Sequence, residues 1–168
     1  MKVDSIVIAK VLTAGAIASF AAVSWKVYLL DVPKFFEDLK ESSAKSLKSF
    51  TEMYKQTSPV QITLSVIGTL SSLYVAYKTK DRRWLMVTSL AALPASFTIA
   101  WLGPQVNEKL FKLEENSDKG EVADTEQVET LLTKWKYAHL GRAVVPTIAL
   151  AALYSLKPFK HCFCHLKN

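Results

Sequence analysis

Charge is what this chain lacks over long stretches. No Asp, Glu, Lys or Arg occurs in 11–25, 56–77, 84–107 or 143–156, which together make 75 residues. The 21 basic and 15 acidic side chains of the 168-residue chain therefore crowd into the other 93 positions. A soluble domain keeps a wet face along each element, whereas uninterrupted apolar runs of this length match a bilayer core of about 30 Å. A water-soluble enzyme is excluded, because so much exposed apolar surface would aggregate. Disorder is excluded as well, since half of the residues are hydrophobic. Glycine is scarce: the five present form no Gly-x-Gly-x-x-Gly fingerprint and no phosphate loop, and no serine stands in a Gly-x-Ser-x-Gly context. Both cysteines lie in the last seven residues.

The expected fold is an all-α, four-helix transmembrane bundle with amphipathic helical segments on its outer, lumenal side. It forms one membrane domain over 1–168, with spans at about 5–30, 57–77, 84–103 and 135–156, outer loops at 31–56 and 104–134, and a tail at 157–168. The first span reads as a retained anchor rather than a cleaved signal peptide, because Lys10 interrupts the apolar region and the run continues to Leu30. Small residues recur every fourth position: Ala14, Ala18, Ala22; Gly68, Ser72, Ala76; Ala92, Ser96, Ala100; and Thr147, Ala151, Ser155. Stripes of this kind let helix backbones approach closely in lipid.

A net charge of +6 and a pI near 9.3 raise the question of nucleic acid. The basic residues, however, sit in short loops beside apolar runs rather than in one patch, so no nucleic-acid partner is expected. The loop Lys78-Thr79-Lys80-Asp81-Arg82-Arg83 holds four basic residues in six, which places it in the cytoplasm by the positive-inside rule. Both termini then share that side, and the address is an endomembrane, the endoplasmic reticulum by default in a eukaryote. On that side the two cysteines form no structural disulfide.

In the first outer loop Pro33 opens a helix in which Phe35, Phe36, Leu39, Leu47, Phe50 and Tyr54 fall near one face, lying on the membrane or capping the bundle. The third helix continues past Gly103-Pro104, breaks within 115–120, and a fourth restarts near Asp124, which has capping-box spacing to Gln127. From there Trp135, His139, Arg142 and Pro146 share one stripe at steps of four, three and four residues. An ionisable pair at membrane depth is costly in lipid and belongs in the bundle interior or a wet cavity, which marks it as a functional candidate. The bland alternative is an interfacial Arg and His that bind lipid phosphate or cap the third helix. The spans hold one histidine and no carboxylate, so neither a bis-histidine haem nor a carboxylate-histidine di-iron site can form there. No nucleotide, flavin, haem or other cofactor is expected. The tail His161-Cys162-Phe163-Cys164-His165 offers two thiols and two imidazoles to Zn²⁺ or Cu(I), without the usual Cys-x-x-Cys finger spacing, and is also a palmitoylation candidate. A disordered tail with no specific role outweighs both readings, and no metal site is assigned to it.

Two short motifs carry a resemblance. Pro104-Gln105-Val106-Asn107-Glu108-Lys109-Leu110 and Trp135-Lys136-Tyr137-Ala138-His139-Leu140-Gly141-Arg142 are similar to the Pro-x-x-Asn-x-x-Leu and Trp-x-x-x-His-x-x-Arg motifs of the anthrone oxygenase-like membrane proteins. That resemblance implies cofactor-independent oxidation of a polycyclic anthrone by dioxygen. His139 would then be the general base, Arg142 the oxyanion stabiliser, Asn107 a hydrogen-bond donor to a phenol or carbonyl, and Trp135 a stacking surface. The partners so implied are the bilayer, a hydrophobic polycycle and dioxygen. The sequence leaves open the oligomeric state and whether the protein is an enzyme at all. The competing reading is a non-catalytic scaffold, or a lipid- or partner-binding protein, in which the same residues hold helices together.

Overall fold

The computed structural model describes residues 4–155, and among these every regular element is helical. Four long helices run up and down: α1 Ser5–Glu41, α2 Ser43–Thr79, α3 Arg83–Asp118 and α4 Thr125–Ser155. The first three are long and apolar enough to cross a membrane. Helix α4, at 31 residues and about 1.5 Å per residue, has the length as well, but Lys134, Lys136 and Arg142 interrupt its apolar stretch. Val11, Leu12, Val66, Leu70, Ile99 and Ile148 stand exposed around the outside. Such a belt suits hydrocarbon and not water. The chain is an integral membrane protein. The His-Cys-Phe-Cys-His tail lies outside the described residues.

Turn chemistry sets the helix ends. Asp124 Oδ1 accepts a hydrogen bond from Glu126 N at 3.1 Å, so the expected restart of the fourth helix is capped by the expected residue. The preceding break passes through Gly120, whose φ of +90° suits only a residue without a Cβ. The first outer segment differs from expectation. Instead of one helix through 33–54, the chain breaks at Ser42, which is extended (φ −166°, ψ 149°) and whose hydroxyl accepts from Lys45 N at 3.2 Å. Phe35 and Leu39 therefore arrive from the end of α1, Leu47 and Phe50 from the start of α2, and they meet face to face. A serine pair able to cap a helix outweighs an apolar stripe that would otherwise continue past it.

Two apolar cores result. The head core contains Phe35, Leu47, Phe50, Leu110, Leu132 and Trp135, so the segments expected as outer loops are helical continuations that enclose a core of their own. The second core, with Ile17, Val75, Trp84, Val87 and Leu153, lies toward the basic loop and the ends of the described chain. Between them sits a buried polar layer: Ser24, Gln61, Ser65, His139 and Arg142.

Of the four small-residue stripes, only Gly68, Ser72 and Ala76 is buried. At Gly68 an added Cβ would lie 3.5–3.7 Å from Ile17, Ala16 and Ala91, so three helices meet there. Ala18, Ala22, Ser96, Ala100, Thr147, Ala151 and Ser155 instead face outward. Composition alone does not select a face in lipid, because an alanine costs as little against hydrocarbon as against another helix.

Helices α1 and α3 each contain a π-helical stretch, Val27–Asp31 and Thr98–Asn107. Pro33 follows the first closely and Pro104 lies within the second. A proline removes one donor from the ladder, and a widened turn is one way to re-pair the carbonyls it frees. Gly103 belongs to this arrangement, since a Cβ there would sit 3.1 Å from the Thr98 carbonyl oxygen.

The head carries a pH-dependent contact. Ser49 Oγ donates to Asp38 Oδ2 at 2.6 Å, and Lys45 Nζ lies 3.2 Å from Oδ1. The Ser49 hydroxyl, against the opposing effect of burial and with help from Lys45, holds the Asp38 carboxyl below the usual carboxylate range. A lowered folded-state pKa gives stability that is present above the unfolded value of about 3.9 and lost as pH falls through the folded value. Ser49→Ala is expected to raise the midpoint pH of acid unfolding, measured by circular dichroism in detergent. An unchanged midpoint would show that the contact contributes nothing.

Candidate functional site

All four residues of the α4 stripe, Trp135, His139, Arg142 and Pro146, are buried. The polar layer takes shape around two of them. His139 Nε2 lies 3.2 Å from the Ser24 carbonyl oxygen. A carbonyl only accepts, so Nε2 carries the hydrogen, and in the neutral ring Nδ1 keeps the basic lone pair. Nδ1 is buried with no hydrogen-bond partner. One turn along, Arg142 Nη2 donates to Gln61 Oε1 at 2.6 Å, and Gln61 Nε2 donates to Ser24 Oγ at 3.1 Å. Helices α1, α2 and α4 are thus tied by one short chain of hydrogen bonds.

Arg142 is 6% exposed, and its Nε has no partner. Among the described residues it forms no ion pair. Its hydrogen-bond acceptor is a neutral amide, which leaves a positive charge without a carboxylate within the bundle. It faces a cavity of about 130 Å³ between α2 and α3, lined also by Gln61, Tyr54, Ser58, Ile62 and Thr98.

The other expected site residues are placed differently. Trp135 is 1% exposed; its ring stacks on His139 at 4.5 Å between centroids and meets Phe50 edge-on at 5.3 Å. It lines none of the described cavities, so it packs the head core and backs the His139 ring rather than presenting a free face to a ligand. His139 also lines none of them. Asn107 Nδ2 donates to the Tyr54 hydroxyl at 3.2 Å, and its Oδ1 is buried without a partner. Its route to the cavity therefore runs through Tyr54.

The structure thus brings Trp135, His139 and Arg142 onto one buried face, opens the cavity to Arg142 alone, and attaches Asn107 to the cavity wall. Sequence reasoning missed Gln61 and Ser24 as members of the polar layer. The available signal was an amide well inside the uncharged run 56–77. Nothing in the sequence marks Ser24 apart from the other serines of the spans. Among the described residues no three His, Cys, Asp or Glu side chains stand close enough together to hold a metal ion.

Comparison with known proteins agrees with the motifs. The family model described as anthrone oxygenase matches residues 50–152, from Phe50 in α2 almost to the end of α4. No curated protein and no solved structure matches the chain. The match spans more than half of the sequence and includes Asn107, Trp135, His139 and Arg142. The chain belongs to the anthrone oxygenase family.

Proposed function

We propose that this protein oxidises the methylene of an anthrone-like polycycle to a ketone with dioxygen, using protein side chains for acid-base and electrostatic work. The observation that carries this reading is Arg142, a buried cation without a carboxylate partner that lines a cavity in a member of the anthrone oxygenase family. An anthrone is a carbon acid whose conjugate base places its charge on the ring oxygen. A guanidinium held ready for that oxygen lowers the cost of forming the anion. Gln61 keeps the guanidinium aimed.

The electrons and atoms balance without a further reductant. His139 Nδ1 accepts one methylene proton, and the resulting electron-rich anion adds dioxygen at carbon. The peroxide takes up that proton, the second methylene hydrogen leaves as a proton, the O–O bond breaks, and hydroxide departs to become water. The net change is one methylene and one dioxygen to one ketone and one water. For His139 to act as base its ring must turn from the Ser24 carbonyl toward the cavity that Arg142 already lines.

His139→Gln separates a base from a tie. A glutamine amide can still donate to the Ser24 carbonyl, but it accepts no proton near neutral pH. The variant is expected to accumulate like wild type and to lose roughly 10²–10⁴-fold in turnover of an anthrone in proteoliposomes, followed by quinone absorbance and oxygen uptake. Full activity in His139→Gln would remove the base role.

A second reading is favoured by the hydrogen bonds themselves: His139 to Ser24 and Arg142 to Gln61 join three helices and suit a non-catalytic scaffold. On that reading wild-type membranes show no turnover, and variants at both positions fail to accumulate.

A further inference from the structure

The cavity at Arg142 is too small for a tricyclic ligand. A protein cavity of about 150 Å³ holds one benzene, and the space beside Arg142 is about 130 Å³. A much larger groove of about 830 Å³ lies next to it between α2 and α3, in the size range of small-molecule sites. The two share Tyr54, Ser58 and Ile62 as lining residues, so these side chains form a common wall.

Helix α2 packs against Arg83–Phe97 and again against Glu108–Asp118. The π-helical stretch between those segments contributes Thr98, Ile99 and Gly103 to the inner cavity, and the segment beyond it contributes Phe111, Glu114 and Glu115 to the groove. The lateral surface of the groove includes Phe111 and Pro59, and Phe111 meets Tyr54 edge-on at 5.1 Å. Tyr54 is fixed from the other side by Asn107.

We infer that ligand binding is bipartite: the Arg142 cavity takes the single acidic ring end of a planar polycyclic phenol or enol, and the groove between α2 and α3 holds its remaining rings, with Tyr54, latched by Asn107, as the adjustable wall between the two. This inference rests on the proposed function for the choice of a polycycle. The chemistry on each side agrees with it. The inner compartment offers a cation and an amide to one oxygen, and the outer offers Phe111, Pro59 and Ile62 to flat rings, with Lys55, Glu114 and Glu115 at its polar edge for their hydroxyls. Tyr54 hydroxyl and Asn107 amide give the wall a hydrogen bond that can break and re-form as rings pass.

A second cleft of about 300 Å³ also reaches Arg142, from between α3 and α4, lined by Leu93, Phe97, Tyr137 and Gly141. It meets the inner cavity through Arg142 alone, whereas the α2–α3 groove shares three wall residues with it. Blocking each opening in turn decides between them. Ser58 is half-buried at the common wall, and Gly141 has nothing within 4 Å of an added Cβ. Ser58→Trp fills the first opening and Gly141→Trp the second. Ser58→Ala controls for loss of the hydroxyl, and Val66→Trp, on the outer surface, for added bulk.

The full-length protein in nanodiscs would be titrated with 1,8-dihydroxyanthraquinone, a planar polycyclic phenol, and with phenol as the one-ring probe. Thermal unfolding of each variant would be recorded. Ser58→Trp is expected to weaken dihydroxyanthraquinone binding at least about tenfold and phenol binding by a clearly smaller factor, because Ser58 also borders the inner cavity; an equal loss of both ligands would overturn the division into two compartments. Gly141→Trp and Val66→Trp should leave both unchanged. Tyr54→Phe, which frees the wall from Asn107, should speed dihydroxyanthraquinone association. Equal binding in Ser58→Trp and wild type, or selective loss in Gly141→Trp, would overturn the bipartite site. If Ser58→Trp unfolds at a lower temperature than Ser58→Ala, Ile62→Trp replaces it at the same wall and is read in the same way. The proposed reaction fails separately: a wild type that binds the dihydroxyanthraquinone in this pattern but turns over no anthrone loses the oxygenase reading and keeps the site.

Discussion

Arg142→Met is expected to reduce anthrone turnover roughly 10²–10³-fold, the usual cost of removing one preorganised donor to a developing oxyanion. Methionine matches the apolar stem of arginine and removes the charged guanidinium, so the bundle should still assemble. The companion variant Gln61→Leu leaves the guanidinium buried without its acceptor and should destabilise the protein by about 1.5–3 kcal/mol, the typical worth of a hydrogen bond to a charged group. Because the two side chains are 2.6 Å apart, their effects should not add. The double variant Gln61→Leu/Arg142→Met should recover most of the stability lost by Gln61→Leu, since no unpaired charge remains. Unfolding of the four proteins in detergent, compared with their turnover, supplies the cycle. Additive stability effects would mean that Arg142 is compensated in some other way, and unimpaired turnover in Arg142→Met would remove it from the chemistry.

Trp135→Ala carries the largest expected cost in stability. The ring is 1% exposed and touches Phe35, Phe50 and His139. Truncating a buried tryptophan to alanine typically costs about 3–5 kcal/mol through lost transfer energy and the cavity left behind. Here the loss should fall on the head: hydrogen exchange should rise in the head segments of α1 and α2, while the core around Trp84 and Val87 keeps its protection. Trp135→Phe should recover more than half of the lost stability. If truncation costs less than about 1 kcal/mol, Trp135 is not packed as described, and its face is free for a ligand after all.

Fold class and motif positions are legible in the sequence for definite reasons. Three of the four uncharged runs lie in helices long and apolar enough to cross a membrane, because so much uninterrupted apolar surface is costly to expose to water. The step of four, three and four residues that places Trp135, His139, Arg142 and Pro146 on one face follows from helical geometry, and the structure buries all four. The cap at Asp124 is equally local.

What the sequence by itself determined is therefore whatever depends on one helix at a time: that these segments are helical and apolar, roughly where they end, and which residues of α4 share a face. Tertiary structure decided the rest. Ala18, Ser96 and Ala151 form stripes as regular as Gly68, Ser72 and Ala76, yet they face outward, because against lipid no hydrophobic force selects the buried face and only the fit of neighbouring helices does. In the same way the partners of His139 and Arg142 lie 115 and 81 residues away in sequence. Gln61 became the acceptor for Arg142, and Ser24 for His139, only when α1, α2 and α4 closed around one polar layer. A buried donor must find an acceptor, and it finds whichever one the fold brings within reach.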